Sequence, residues 1–217
     1  MTKKRKHLCA AASALIAFTI FTVCVRCIDT KPIGPAASVV GFSTVNGFVH
    51  RLSGVHLSLY VLTDWLSLIP IGCMLRFALL GLSQWVHRKH LLHVDRSLLM
   101  LGGFYLLLLA VYLLFEMAVV NHRPVLIDGV LEASYPSSTT VLVLCVMSTA
   151  KLQLDACLKH PRIRQRTASA ISVFSICMVM GRLCSGVHWL TDIVGGLLLS
   201  IGLIQLYRAA IESHDDI

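Results

Sequence analysis

The chain has 217 residues, of which 56% are hydrophobic and only 14% charged, and its mean hydropathy is +0.77. Soluble domains carry about 25% charged residues, so this composition excludes a soluble globular domain and indicates an integral membrane protein. The net charge is +8, but the basic residues lie in short runs between apolar segments, which is typical of membrane topology and not of nucleic-acid binding. We therefore expect a lipid bilayer as partner and no nucleic acid.

Six apolar runs predict an all-α integral membrane bundle, built as a single domain over residues 1–217. Each run has about the length that a helix needs to cross a hydrocarbon core of roughly 30 Å. The predicted helices span approximately 8–25, 57–83, 97–120, 139–156, 168–184 and 189–207. The first run follows the basic leader MTKKRKH and lacks an A-x-A-like cleavage site, which favours a retained helix over a signal peptide.

Residues 39–54, VVGFSTVNGFVHRLSG, lie between the first two runs and mix apolar with polar positions. The pattern fits either a short helix in the membrane interface or an ordinary loop. Within the second run, Asp64 is costly in a bilayer, so we expect it to pair with a group on another helix.

Two groups of cysteines and histidines have spacings that also occur in metal or redox sites. Cys24 and Cys27 form a CxxC pair, but no second Cys pair or nearby His accompanies it. His87, His90 and His93 have helical spacing within a basic loop, where interface histidines are commoner than metal ligands. The sequence therefore predicts no metal site.

The distribution of basic residues orients the chain in the membrane. Six crossings place both termini on one side, and the loops on that side hold thirteen Lys and Arg. The opposite side holds five, which are Arg26, Lys31, Arg51, Arg123 and Arg182. The positive-inside rule therefore predicts a multi-pass protein of the cell membrane with cytoplasmic termini.

The last run contains Gly195, Gly196 and Gly202, which allow helices to approach closely. Such contacts form within one chain or between subunits, so the sequence leaves the oligomeric state open.

The stretch GRLCSGVHWLTDIVGG, residues 181–196, combines three polar residues. His188 and Asp192 are four apart and would share one face of a helix, and a carboxylate beside an imidazole selects one tautomer and raises its basicity. Arg182 adds a planar fork suited to a phosphate or a carboxylate. The spacing alone fits either a nucleophilic histidine with an anion clamp or interface residues that satisfy backbone groups.

The predicted topology brings further polar residues to the same extracytoplasmic face. The loop 121–138 carries Arg123, Ser137 and Ser138, and the turn that follows Arg182 lies on the same side. Two arginines on a face that is poor in positive charge point to an anionic ligand. The two serines stand at a predicted helix start, where free N–H groups bind phosphate or where a serine caps the helix.

On these residues the chain resembles the type 2 phosphatidic acid phosphatase superfamily, the membrane lipid phosphatases related to vanadium haloperoxidases. That family has three signatures: Lys, six residues, then Arg-Pro; Pro-Ser-Gly-His; and Ser-Arg, five residues, His, three residues, Asp. The Arg-Pro pair at 123–124 matches the end of the first, and PSST at 136–139 matches part of the second. Arg182, His188 and Asp192 match the third with both spacings kept.

The resemblance implies a phosphatase that acts on a lipid phosphate or diphosphate. In such an enzyme His188 attacks phosphorus in line and forms a phosphohistidine, which water hydrolyses, while Asp192 orients and charges His188. Arg123, Arg182 and the backbone at 137–138 neutralise the phosphate oxygens. The resemblance implies neither a metal nor another cofactor, because two arginines do the work that Mg²⁺ does in other phosphoryl-transfer enzymes.

Three of the departures from the family pattern concern groups with a chemical role. Glu116 stands where the first signature has Lys, and Gly181 replaces the Ser before Arg182. Thr139 stands where the second signature has the His that protonates the leaving group, and Thr has no pKa suited to acid catalysis near neutrality. We therefore expect either a substrate whose leaving group needs little protonation, such as a polyprenyl diphosphate, or a substitute acid at His122.

Two other functions fit the same residues. A phosphotransferase would pass the phosphoryl group from His188 to another lipid or a sugar, and a non-catalytic lipid-phosphate binder would tolerate the three departures. A transporter is disfavoured, because its intramembrane charges should line a path through the midplane, whereas these cluster at one end.

Overall fold

The structure, a computed structural model, describes residues 1–212. Within that range the helices are α1 (Lys3–Cys27), α2 (Ser43–Ser53), α3 (Leu57–Leu66), α4 (Leu68–Arg88), α5 (Arg96–Met117), α6 (Ser138–Cys157), α7 (Pro161–Cys184) and α8 (Leu190–Glu212). Two short 3-10 turns, at Pro35–Ala37 and Leu91–His93, complete the regular structure.

Six segments of the described chain are long and apolar enough to cross a membrane, which confirms the predicted six-helix membrane fold. The second crossing differs from the prediction, because it consists of α3 and α4 joined at Ser67. The Ser67 hydroxyl donates to the backbone carbonyl of Asp64 at 2.5 Å. The fifth crossing, α7, begins at Pro161 and not at 168, since the fixed φ of proline suits the first position of a helix.

The helix α1 packs along α8. An added Cβ at Gly202 of α8 would lie 2.6 Å from the side chain of Leu15, so glycine permits this close contact within the chain. At one end of the pair, His7 Nδ1 lies 2.6 Å from Gln205 Oε1. The start of α1 and the end of α8 therefore lie together. We call the opposite end, which carries the segment 118–137, the loop end.

The helix α2 lies at the loop end and is amphipathic. Its residue Asn46 is fully buried, where it donates to Thr191 Oγ1 at 2.9 Å and accepts from the Thr191 N–H at 3.2 Å. Val45, Phe48 and Leu52 are exposed. Such a helix is typical of the membrane interface, so of the two interpretations of residues 39–54, the structure shows the helix.

Candidate active site

His188 and Asp192 lie where α7 gives way to α8. His188 belongs to the short connection between the helices and is only 3% exposed, whereas Asp192 lies in the first turn of α8 and is fully buried. The Oδ2 atom of Asp192 accepts the Trp189 N–H at 2.9 Å and lies 3.6 Å from His188 Nδ1. The prediction of a shared helix face is corrected, because His188 precedes the helix and Asp192 reaches back to it. This arrangement leaves Nε2 as the ring nitrogen that faces away from the carboxylate.

The surroundings of His188 favour its neutral form. Burial lowers the pKa of His188 below its usual value, and the positive charges of Arg123 and Arg182 act in the same direction. Asp192 opposes the shift without reversing it. A neutral imidazole keeps the lone pair that a nucleophile requires.

Arg182 lies in the last turn of α7, is 2% exposed and is held by four side chains. Its Nη2 donates to Thr139 Oγ1 at 2.7 Å, and its Nη1 donates to Thr63 Oγ1 at 3.3 Å. Its guanidinium carbon lies 4.8 Å from the ring centroid of Tyr60, and Nη2 is 3.8 Å from Asp64 Oδ1. Asp64 therefore pairs with another helix, as predicted.

Arg123 reaches the site from the segment 118–137 and is 8% exposed. Its Nε lies 2.9 Å from Oε2 of Glu132, a half-exposed carboxylate of the same segment. Its guanidinium carbon lies 5.6 Å from the ring centroid of Tyr60. The two arginines, predicted to share a site, thus share one aromatic ring.

Several buried polar atoms of this group have no hydrogen-bond partner. They are Nη1 of Arg123, Nε of Arg182, both ring nitrogens of His188, and Oδ1 of Asp192. Buried polar atoms in native proteins are nearly always paired, so each such atom calls for an explanation. Unpaired guanidinium donors beside a neutral histidine suit an anionic ligand that brings oxygen acceptors.

The start of α6 assigns different roles to its two serines. Ser137 is the N-cap, and its Oγ accepts the Thr140 N–H at 3.5 Å and the Thr140 hydroxyl at 3.0 Å. The Ser137 N–H donates to the carbonyl of Asp192 at 3.1 Å, so this N–H is not free for a phosphate. The N–H groups of Ser138 and Thr139, in the first turn, have no acceptor within the helix. Ser138 therefore stays a predicted phosphate ligand, whereas the bonds of Ser137 are those of a cap.

The remaining two candidates lie at the edge of the site. Glu116 is exposed in the last turn of α5 and lines the cavity described below. His122 is half-buried, and its backbone carbonyl accepts the Trp189 indole N–H at 2.7 Å. This bond ties the segment 118–137 to the connection that carries His188, and an acid role for the His122 ring stays a prediction.

The connection between α7 and α8 is pressed against the junction of α2 and α3. The His56 N–H donates to the Ser185 carbonyl at 2.9 Å, and His50 Nε2 lies 3.2 Å from the Gly186 carbonyl oxygen. Gly186 has φ +69°, and an added Cβ would lie 1.9 Å from the Gly54 carbonyl oxygen. Only glycine fits there, and the connection is thereby fixed in place.

Several residues that hold the site together were not predicted from the sequence, and for Asp64 the prediction was a pairing without a named partner. Tyr60, Thr63 and Asp64 have the i, i+3, i+4 spacing of one helix face within an apolar segment, and this polar stripe was the available signal. Glu132 and Asn46 are single polar residues in mixed segments, and their spacing carries no comparable signal.

A cavity of about 1010 Å³ lies between α4, α5 and α6 and reaches the site. Its wall is mostly apolar and includes Met74, Phe77, Leu98 and Leu106. At the loop end it is lined by Glu116, Ser138, Thr139 and His188. An apolar cavity that ends on polar groups suits a ligand with a hydrocarbon part and a charged head.

Within residues 1–212, no three His, Cys, Asp or Glu side chains form a group that suits a metal ion. Cys24 and Cys27 are both free thiols.

Comparison with known proteins gives two matches. A model of the PAP2 superfamily matches residues 97–214. Among solved structures, the chain is similar to a transmembrane PAP2 type phosphatidylglycerolphosphate phosphatase from Bacillus subtilis, with a TM-score of 0.57 and 18% identity, covering 94% of this chain and 97% of that one. At this identity the likeness establishes the fold. The comparison with curated proteins found no match.

Proposed function

Because the chain belongs to the PAP2 superfamily, as its motifs predicted, we propose that it is a membrane phosphatase that hydrolyses a lipid phosphate or diphosphate through a phosphohistidine at His188. The observation that carries this proposal is the group of unpaired buried atoms on Arg123, Arg182, His188 and Asp192. Leaving a buried polar atom unpaired costs on the order of 1–3 kcal/mol. A bound phosphate removes part of this cost, since its oxygens accept from the guanidinium donors.

The geometry supports a two-step reaction. His188 Nε2 forms a bond to phosphorus while the bond to the leaving oxygen breaks, and that oxygen keeps the electron pair. Asp192, 3.6 Å from Nδ1, stabilises the positive charge that develops on the ring, and Arg123 and Arg182 neutralise the phosphate oxygens. Water then attacks phosphorus, which releases inorganic phosphate and restores His188.

The leaving group decides which substrates react well. Thr139, at the position of the family's general acid, accepts a hydrogen bond from Arg182 and has no pKa that suits proton transfer near neutrality. An alkoxide departs slowly without an acid, whereas a phosphate leaving group, with a second pKa of about 6, departs without help. A polyprenyl diphosphate therefore fits this site better than phosphatidate does, unless the ring of His122 supplies the proton.

The apolar cavity supports a lipid substrate. Its volume of about 1010 Å³ accommodates a hydrocarbon chain between α4 and α5, and its loop end contacts His188. A lipid whose tail lies in this cavity presents its phosphate to the two arginines.

The reaction is proposed to take place outside the cytoplasm. The site lies at the loop end, opposite the start of α1 and the end of α8. Because the loops on the side of the termini hold thirteen of the Lys and Arg, the positive-inside rule puts the loop end on the extracytoplasmic face.

Phosphate release by the purified protein, measured in detergent micelles across a substrate panel, tests the proposal. The panel contains phosphatidate, a phosphatidylglycerol phosphate and a polyprenyl diphosphate. We expect fastest release from the diphosphate, and we expect His188→Ala to lower all rates by at least about a thousandfold. Faster phosphatidate hydrolysis that His122→Ala leaves unchanged would contradict the proposed preference, and an undiminished rate in His188→Ala would contradict the mechanism.

Two additions to this assay address the related predictions. Release that continues in the presence of EDTA supports catalysis by two arginines without a metal. A rate that depends on an added lipid or sugar alcohol, with that alcohol phosphorylated in place of water, identifies a phosphotransferase instead.

A further inference from the structure

We propose that α3 is a positioning element of the active site, in which Tyr60 and Thr63 hold Arg182. This chain lacks two residues of the family pattern near Arg182, the Ser replaced by Gly181 and the His replaced by Thr139. The inference rests on the proposed function, because it assigns Arg182 to the phosphate of the substrate. It links two departures from the family pattern, Gly181 and Thr139, to a single local arrangement around Arg182.

The Thr63 hydroxyl points to the backbone of its own helix. Thr63 Oγ1 lies 2.8 Å from the Tyr60 carbonyl and 3.0 Å from the Leu59 carbonyl, and a hydroxyl has only one proton to donate. That proton is directed to the backbone of α3, so the lone pairs of Oγ1 face Arg182 Nη1 at 3.3 Å. Thr63 therefore acts as a fixed acceptor for the guanidinium group.

Gly181 stands where the family has Ser. An added Cβ at Gly181 would lie 2.7 Å from Thr63 Cγ2, closer than real Cβ atoms approach a neighbour. The space that a serine would occupy beside Arg182 is thus filled by the methyl group of Thr63. The loss of the serine and the approach of α3 are two sides of one packing contact.

Thr139 replaces the family's histidine. Its Oγ1 accepts from Arg182 Nη2 at 2.7 Å, while Thr63 accepts from Nη1. Two threonine hydroxyls, from α6 and α3, therefore hold the two terminal nitrogens of one guanidinium group. The Nε of Arg182 has no protein partner, so this donor is available for a phosphate oxygen.

The ring of Tyr60 lies beside both guanidinium groups. Two guanidinium groups repel each other when no anion lies between them, and Arg123 and Arg182 are close enough to interact electrostatically. Tyr60 lies within cation–π distance of both, at 5.6 Å and 4.8 Å. Its electron-rich face stabilises both cations before the substrate arrives, which keeps them preorganised for one phosphate.

The first experiment separates the ring of Tyr60 from its hydroxyl. Tyr60→Leu removes the aromatic face and is expected to raise KM about tenfold with a smaller change in kcat, whereas Tyr60→Phe keeps the face and is expected to change KM by about twofold or less. Trp65→Leu is the matched control, because Trp65 is an exposed aromatic residue on the same helix. Equal KM values for Tyr60→Leu and Trp65→Leu would overturn the proposal for Tyr60.

The second experiment tests the packing contact between Gly181 and Thr63. Gly181→Ser alone forces Thr63 away from Arg182 and is expected to raise KM about tenfold. Thr63→Ser keeps the acceptor and removes the methyl group, so Gly181→Ser combined with Thr63→Ser is expected to recover to within about threefold of the original KM. A double variant no better than Gly181→Ser would overturn the coupling.

Binding of inorganic phosphate to the same purified variants, by titration calorimetry, distinguishes the two levels of inference. Weaker phosphate binding in Tyr60→Leu and Gly181→Ser, without turnover by the original chain, would refute the phosphatase and retain the positioning role. Turnover by the original chain with unchanged phosphate binding and KM in all variants would retain the phosphatase and refute the positioning role.

Discussion

The two halves of the site are held in place by different means. The half formed by α7 and α8 carries Arg182, His188 and Asp192, all at most 3% exposed and packed against α2, α3 and α6. The half formed by the segment 118–137 carries Arg123, whose ion-pair partner Glu132 has a side chain that is 41% exposed. Arg182 donates to two neutral hydroxyls and lies 3.8 Å from the carboxylate of Asp64, whereas Arg123 forms a closer ion pair, at 2.9 Å, with Glu132.

This difference indicates how each half responds to a phosphate. Arg182 donates to two neutral hydroxyls, and its carboxylate neighbour, Asp64, lies 3.8 Å away, so its positive charge is less compensated than that of Arg123. Glu132 partly neutralises Arg123 and competes with the phosphate for the same donors. We infer that the half formed by α7 and α8 is the more strongly preorganised, whereas Arg123 must loosen its ion pair with Glu132 when substrate binds.

The largest expected effect lies in the preorganised half. Asp192→Asn keeps the size of the side chain but removes the charge that stabilises the His188 imidazolium, so we expect kcat to fall by about a thousandfold. Single-turnover phosphate release compared with His188→Ala measures this. A fall of less than tenfold would show that the carboxylate 3.6 Å from Nδ1 mainly holds the Trp189 N–H.

The two arginines provide the direct comparison. Arg182→Lys loses the fork that spans two threonine hydroxyls, and we expect kcat/KM to fall by about a hundredfold. Arg123→Lys keeps the positive charge and loses only the guanidinium fork, and Glu132 already occupies one donor of that fork, so a fall of about tenfold is expected. Steady-state kinetics on one substrate measures both, and equal losses would remove the distinction between the halves.

The pH profile tests the state of His188. Because burial lowers its pKa, the neutral nucleophile persists below the usual histidine value of about 6.5. We therefore expect kcat/KM to stay level down to below pH 6.5 and then to fall about tenfold per pH unit as the ring is protonated. Asp192→Asn should move this limb to still lower pH, since Asp192 raises the pKa of His188. A fall in kcat/KM that begins above pH 6.5 in the original chain would contradict the assignment of His188 as a neutral nucleophile with a lowered pKa.

The smallest expected effect concerns Glu132. Glu132→Gln removes the competitor of the phosphate, so we expect KM to fall by about threefold at unchanged kcat. Asp128→Asn, which changes an exposed acid of the same segment, is the control and should leave KM unchanged. A rise in KM would show that Glu132 orients Arg123 and does not compete with the substrate.

The sequence predicted the membrane fold because long apolar runs leave few alternatives in a bilayer. It did not predict the break at Ser67, since apolar residues continue across it in Leu66 and Leu68. Likewise, the start of α7 at Pro161 lies in a basic stretch outside the apolar run, where hydropathy gives no indication of a helix.

The site divides in the same way. Arg182, His188 and Asp192 were identifiable because their spacing is local in the sequence. The Ser137 N–H is not free for a phosphate because it donates to the carbonyl of Asp192, far away in the chain. The contact of Tyr60 with both arginines depends on how α3 packs, which no local pattern encodes.

The pairing of α1 with α8 has a consequence for biosynthesis. The helix α8, which carries Asp192, is translated after all of the other described helices, yet its partner α1 is among the first. At about 5–20 residues per second, roughly 8 to 33 seconds separate the end of α1 from the start of α8 on the ribosome. During that interval α1 lacks its packing partner, and the carboxylate of Asp192 is still absent. The group formed by Arg182, His188 and Asp192 is therefore incomplete until α8 has been inserted.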